Sequence, residues 1–139
     1  MEIERERGNR AGAGLLALVG FREGDHENLL KPMSSKIVEL RIFEDTEGRM
    51  NRSLLDIEGD LVLVPQFTLY ADCQKGRRPG FSDAMAPLPA SELFEKFCQI
   101  CQEFVPSVGR GKFGADMKVH LVNDGPVTII LDSSELRLG

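Results

Sequence analysis

Four places in the 139-residue chain carry polar groups at spacings that could do chemistry. In the first, Leu61 to Ala84, an apolar run is broken by Gln66 and Thr68, which would share one face of a strand. The second follows at once: KGRRPG sets Lys75, Arg77 and Arg78 on a glycine-containing loop. Such a loop suits a polyanionic ligand, and equally a solvated run of charge. The third is Asn123-Asp124-Gly125-Pro126, whose Asp-Gly pair is at home in a hairpin turn. The fourth, Cys98-x-x-Cys101, has the spacing of a redox pair or half a zinc site.

The last of these loses its chemistry in context. It lies inside SELFEKFCQICQEF, where Leu93, Phe94, Phe97, Cys98, Ile100, Cys101 and Phe104 recur at helical spacing on one apolar face. No second ligand pair accompanies it, and redox pairs open helices rather than sit within them. The expectation is two buried cysteines packing as small hydrophobes. An odd total of three, with Cys73, suits a reducing compartment.

Other catalytic machinery is scarce. The two histidines are His26, at an expected helix start, and His120, on the solvent side of an expected strand. There is no HExxH, no G-x-S-x-G and no clustered carboxylates, and GRGKFGAD lacks the spacing of a P-loop. An enzyme built from this sequence has no obvious side-chain base and calls for no metal or other cofactor. Its chemistry would rest on backbone dipoles, a hydroxyl, or groups of the substrate. The Thr68 hydroxyl could attack an ester. With no histidine or lysine beside it in sequence, a positioning role is preferred.

The elements that must hold these residues follow from periodicity and turn signals. Residues 1–10, MEIERERGNR, form a charged arm unlike a signal peptide, so a cytoplasmic location is expected. Leu15 to Val19 is a buried strand. A helix capped by Asp25 carries Leu29, Leu30, Met33, Ile37, Val38 and Leu40, with Pro32 kinking it or starting it. Arg41 to Phe43 is a short strand, and Asn51 to Asp56 a second strand or bend. A helix capped by Ser91 runs to Phe104, and Val105 to Gly114 is a connector. Met117 to Val122 is a half-buried strand, Val127 to Leu131 a core strand, and the tail is mobile.

One domain of residues 1–139 accounts for all of this, with no span long enough to cross a membrane. A net charge of −5 disfavours non-specific coating of nucleic acid while leaving room for a local basic patch. The expected fold class is α+β, with largely antiparallel β-sheets and two helices.

PQFTLYADCQKGRRPGFSDA, preceded by LRIFEDTEGRMNRSLLD and followed by KFGADMKVHLVNDGPVT, resembles the D-aminoacyl-tRNA deacylases. The resemblance covers residues 12–132 in order. Its two motifs are Pro65-Gln66-Phe67-Thr68 and the set Asn123, Gly125, Pro126 and Thr128. It implies a homodimer that hydrolyses the ester joining a D-amino acid, or glycine, to the 3′ end of tRNA, as a proofreading step in translation. It further implies catalysis by backbone groups near Gln66, Phe67 and Thr68 together with the tRNA 2′-hydroxyl. Gly125 and Pro126, joined by a cis bond, would enter the partner subunit's pocket and exclude L-side chains. Phe113 and Met117 would stand beside that pocket, although both also fit a core role. Lys75, Arg77 and Arg78 would meet the tRNA.

Two departures stand out. MEIERERGNR replaces the family's first strand, which is therefore expected to be missing. Pro65 stands where these enzymes have serine, and resembles the motif of a sister group that removes L-alanine mischarged on a threonine tRNA. Two alternatives follow: that L-alanine activity, or a non-catalytic nucleic-acid-binding paralogue.

Overall fold

The computed structural model describes residues 2–3 and 12–137. Its strands are β1 (Glu2–Ile3), β2 (Gly14–Val19), β3 (Phe43–Glu44), β4 (Met50–Arg52), β5 (Asp60–Pro65), β6 (Val108–Arg110) and β7 (Val119–His120). Its helices are α1 (Leu30–Glu39), α2 (Leu54–Ile57) and α3 (Pro87–Phe104). Short 3-10 turns cover Glu27–Leu29, Phe67–Tyr70 and Ser133–Glu135.

The main sheet has three strands in the order β2-β5-β6, all parallel. This corrects the expectation of a largely antiparallel fold with two helices. Antiparallel pairing is confined to β1 with β7 and β3 with β4. The physical reason lies in the connections. Parallel neighbours require long crossovers, and the chain supplies them through α1 and α3 rather than through hairpins. Leu15 pairs with Leu61 and Ala17 with Leu63. Parallelism also sends the carboxyl ends Val19, Pro65 and Arg110 to the same edge of the sheet.

Alternation along β5 decides the two layers. Leu61 and Leu63 face α1 and α3 in a core with Phe21, Leu30, Val38, Phe94, Phe97, Cys98 and Cys101. Val62 and Val64 face the other way, onto Leu16 and Met117. Close strand approach explains Gly14, where a Cβ would fall 1.9 Å from the Asp60 carbonyl oxygen.

On α1, Leu30, Ser34 and Val38 are buried at spacings of four. Pro32 sits in its first turn, where a missing N–H costs nothing. Asp25 is not its cap; the Asp25 carboxylate instead accepts from the Arg22 N–H at 2.7 Å. α3 begins at Pro87, not at Ser91, because proline is pre-organised for the first helical position. Its buried Leu93, Phe94, Phe97, Cys98 and Cys101 form the apolar stripe expected. Burial pushes the Cys98 thiol up from 9.0 to about 11, and raises Cys101 as well. Among the described residues no group of three or more His, Cys, Asp or Glu could hold a metal.

Ser53 and Asp56 close a capping box on α2: the Asp56 N–H donates to Ser53 Oγ at 3.1 Å and the Ser53 N–H to Asp56 Oδ2 at 2.8 Å. The expected connector after α3 contains β6, a third strand too short and glycine-rich to show periodicity. Val127 to Leu131 is no core strand. It has no ladder partner among the described residues, and Ile129 and Ile130 are exposed. The tail is partly ordered, since Asp132 caps Ser133–Glu135 by accepting from the Ser134 N–H at 3.0 Å.

Within the expected N-terminal arm, Glu2 pairs with His120 and Ile3 with Val119, and the rest of the arm lies outside the described residues. No helix among the described residues is long and apolar enough to cross a membrane.

Candidate functional site

β5 delivers the first motif. Its ladder ends at Pro65, and the Gln66 N–H still donates to the Val19 carbonyl at 2.8 Å. The chain then turns into the 3-10 segment Phe67–Tyr70, so strand alternation no longer applies. Gln66 and Thr68 nevertheless meet, through a hydrogen bond donated by Gln66 Nε2 to Thr68 Oγ1. Phe67 is 54% exposed, because the 3-10 turn swings it outward.

The first N–H groups of a helical turn have no partner within it. Leu69 donates to the Gln66 carbonyl at 3.3 Å and Ala71 to that of Thr68 at 3.0 Å. The N–H groups of Phe67 and Thr68 find no acceptor among the described residues, and Gln66 supplies no side-chain cap. Two adjacent backbone donors therefore stand open at the carboxyl edge of the sheet. Such a pair can hold an oxyanion.

Glycine shapes the walls around them. A Cβ on Gly20 would lie 3.0 Å from the Gln66 carbonyl oxygen and 3.2 Å from Leu69 Cβ. A Cβ on Gly111 would lie 3.1 Å from Met117 Sδ and 3.2 Å from the Pro65 ring. Gly111 is held to the sheet by its N–H to the Leu63 carbonyl at 2.8 Å. Neither glycine was singled out from the sequence; Gly20 was signalled only by its place just beyond an apolar run, and Gly111, after Arg110, by nothing.

Met117 thus reaches the site, packed on Val62 and Val64 beneath Pro65 and Gly111. Phe113 is tied to the core, its ring 6.4 Å from that of Phe94. Beside it, Arg110 grips Glu95 with both guanidinium nitrogens and lies 5.4 Å from the centre of the Phe94 ring. That pairing holds the Glu95 carboxyl below its usual range. It fixes the end of β6 against α3, immediately before Gly111.

Lys75, Arg77 and Arg78 ride on an exposed loop closed by Asp72 and Gly80. The Asp72 and Gly80 N–H groups donate to each other's carbonyls at 2.7 and 2.8 Å. The Asp72 carboxylate is engaged by the Gln74 N–H at 3.0 Å, and the three cations make no ion pair among the described residues.

The second motif is built differently. Asn123 clasps its own loop: its Oδ1 accepts from the Val127 N–H at 2.9 Å and its Nδ2 donates to Thr128 Oγ1 at 3.0 Å. This explains why Asn and Thr flank Gly-Pro, a role not assigned from the sequence. Gly125 has φ +137°, a conformation open to glycine, and the Gly125–Pro126 bond is cis, the form that the resemblance implies. Residues 121–130 are exposed throughout. The chain does not bring Gly125 and Pro126 to Gln66 and Thr68 by any hydrogen bond among the described residues.

The chain is similar to known proteins along most of its length. A family model described as D-Tyr-tRNA(Tyr) deacylase matches residues 1–132. A D-aminoacyl-tRNA deacylase of Thermosipho africanus is 47% identical over 136 residues, covering 98% of this chain and 91% of the relative. One from Clostridium botulinum is 49% identical over 133 residues, covering 96% and 89%. A solved structure named c-Myc DNA Unwinding Element Binding Protein superposes with TM-score 0.87 at 36% identity, over 94% of this chain and 89% of that one. A probable eukaryotic D-amino acid tRNA deacylase shares the fold at TM-score 0.71 and 19% identity, over 85% and 84%. A match that runs from residue 1 to 132, backed by relatives near half identical over almost the full length, makes the chain a member of the D-Tyr-tRNA(Tyr) deacylase family.

Proposed function

We propose that the chain hydrolyses the ester of D-aminoacyl-tRNA, and of glycyl-tRNA, releasing the amino acid and free tRNA. The observation that carries the mechanism is the pair of unpartnered N–H groups at Phe67 and Thr68. They would stabilise the oxyanion as water attacks the ester carbonyl, its proton relayed through the neighbouring 2′-hydroxyl of the tRNA to the departing 3′-oxygen. Gln66 and Thr68, bonded to each other, position that end of the substrate. The proton leaves through groups of the substrate, since neither residue is a base.

Chiral choice is assigned to Gly125 and Pro126 of a second copy. Rigid backbone crowds the direction of an L-side chain and ignores a D-side chain, which points outward, and glycine, which has none. In support of a homodimer with its site at the interface, the loop that holds this pair is exposed and flanked by exposed Leu121, Val122, Val127, Ile129 and Ile130. Lys75, Arg77 and Arg78 would meet tRNA phosphates. The cytosol, where aminoacyl-tRNA is used, is the compartment this activity calls for.

Release of amino acid from D-Tyr-tRNA, Gly-tRNA and L-Ala-tRNA tests the reading. Hydrolysis of the first two and sparing of the third is expected. Selective release of L-alanine would reassign the chain to the activity that Pro65 suggests, and no release from any would leave a binding protein.

A further inference from the structure

Phe67 and Phe81 are both large, aromatic and open to solvent, at 54% and 40% exposure. Their ring centres are 5.0 Å apart with planes at 64°, an edge-to-face pair. The pair frames the basic loop: the chain leaves Phe67, pairs Asp72 with Gly80, and arrives at Phe81 directly after that closure. Lys75, Arg77 and Arg78 are therefore carried on a loop rooted at the aromatic step. Residues 72–81 hold three cations against one carboxylate in a chain whose net charge is −5. Further pairing of residues 83–85 with residues 21–23, through Glu23 N–H to Asp83 carbonyl and Met85 N–H to Phe21 carbonyl at 3.0 Å each, anchors the excursion to the sheet edge.

An exposed aromatic beside unpaired cations has the chemistry of a single-strand nucleic-acid site, where bases stack and cations follow the backbone. We infer that Phe67 and Phe81 form a stacking step for an unpaired base of the RNA 3′ end, with Lys75, Arg77 and Arg78 holding the phosphates that follow. This deepens the deacylase reading and rests on it for the identity of the RNA. The step begins at Phe67, itself one of the two open N–H donors, so a base stacked there would set the distance of the terminal ester from Thr68.

The test uses the purified full chain and a short, non-acylated single-stranded oligoribonucleotide containing 2-aminopurine, so its outcome does not depend on hydrolysis. Binding should quench the 2-aminopurine. Phe81→Ala should abolish the quench and weaken binding about ten-fold, while Phe81→Tyr restores both. Replacing Arg77 and Arg78 with alanine should keep the quench and lower the slope of log affinity against log salt by about 1.4. Quenching without deacylase activity would uphold the stacking step and sink the deacylase reading. Unaltered quenching and affinity in Phe81→Ala would overturn the inference. So would a change in oligomer mass with no change in binding, which makes the pair a protein contact. Stronger binding of the matching deoxyribonucleotide would overturn it as well.

Discussion

The two motifs of the candidate site are held in opposite ways. Pro65 to Thr68 ends a buried strand: Leu61 to Val64 are all at most 2% exposed, and packed side chains on both faces fix where the backbone goes. Asn123 to Thr128 is exposed along its whole length. Its form comes from the Asn123 clasp and the conformation of Gly125, while Val122 and Ile130 on either side are each 89% exposed. One half is placed by the core and the other by local bonding. The difference teaches that stability and function should separate between them.

Four measurements can break or sharpen that contrast. Leu63→Ala removes a fully buried side chain of β5 and should cost about 2–5 kcal/mol by urea denaturation, with loss of activity alongside. Gly111→Ala forces a methyl against Met117 and Pro65 and should cost about 1–3 kcal/mol while lowering deacylation. A wild-type stability there would mean that the wall is soft.

The third concerns pH. Folding raises the Cys98 thiol from 9.0 to about 11, so its contribution is complete below pH 9 and is lost as pH climbs toward 11. Unfolding free energy should fall by about 1 kcal/mol between pH 7 and 10 from this group, and Cys98→Ala should flatten that part of the profile. The smallest stability effect is expected at Asn123→Ala. Both of its bonds are exposed, so stability should move by less than about 0.5 kcal/mol. Deacylation should still fall about ten-fold, because loop shape depends on those bonds. A large loss of stability would show that the second half is core-supported after all.

The same contrast governs what could be seen in the sequence. β5 and the stripe of α3 were legible because burial writes itself as apolar runs and helical spacing; β2 also showed as an apolar run, but it is half-buried rather than buried, with Leu18 47% exposed. The parallel pairing of the strands was not legible, since local turn signals suggested hairpins while the real neighbours are linked through helices. Val127 to Leu131 misled for a related reason: apolar composition predicts burial, but the described residues supply no surface that buries Val127, Ile129 or Ile130. Gln66 and Thr68 were found as polar breaks in an apolar run, whereas Gly20 and Gly111 were passed over because an absent side chain leaves no pattern. The α2 helix and the start of α3 were misread, Asn51 to Asp56 as a strand or bend and Ser91 as the cap, although Ser-Leu-Leu-Asp carries a capping box and Pro87 precedes the apolar stripe.

The parallel order of β2, β5 and β6 carries one more consequence. Because Val19, Pro65 and Arg110 end on one edge, the segments that follow all leave from that edge, and open sheets of this kind place ligands there. Selection can therefore rewrite Gly20, Gln66 to Thr68 or Gly111 to Phe113 separately, each time retuning one shared mouth without redrawing the scaffold. A descendant could exchange substrates by inheriting a new loop on an unaltered frame, and Pro65 sits where such a drift would begin.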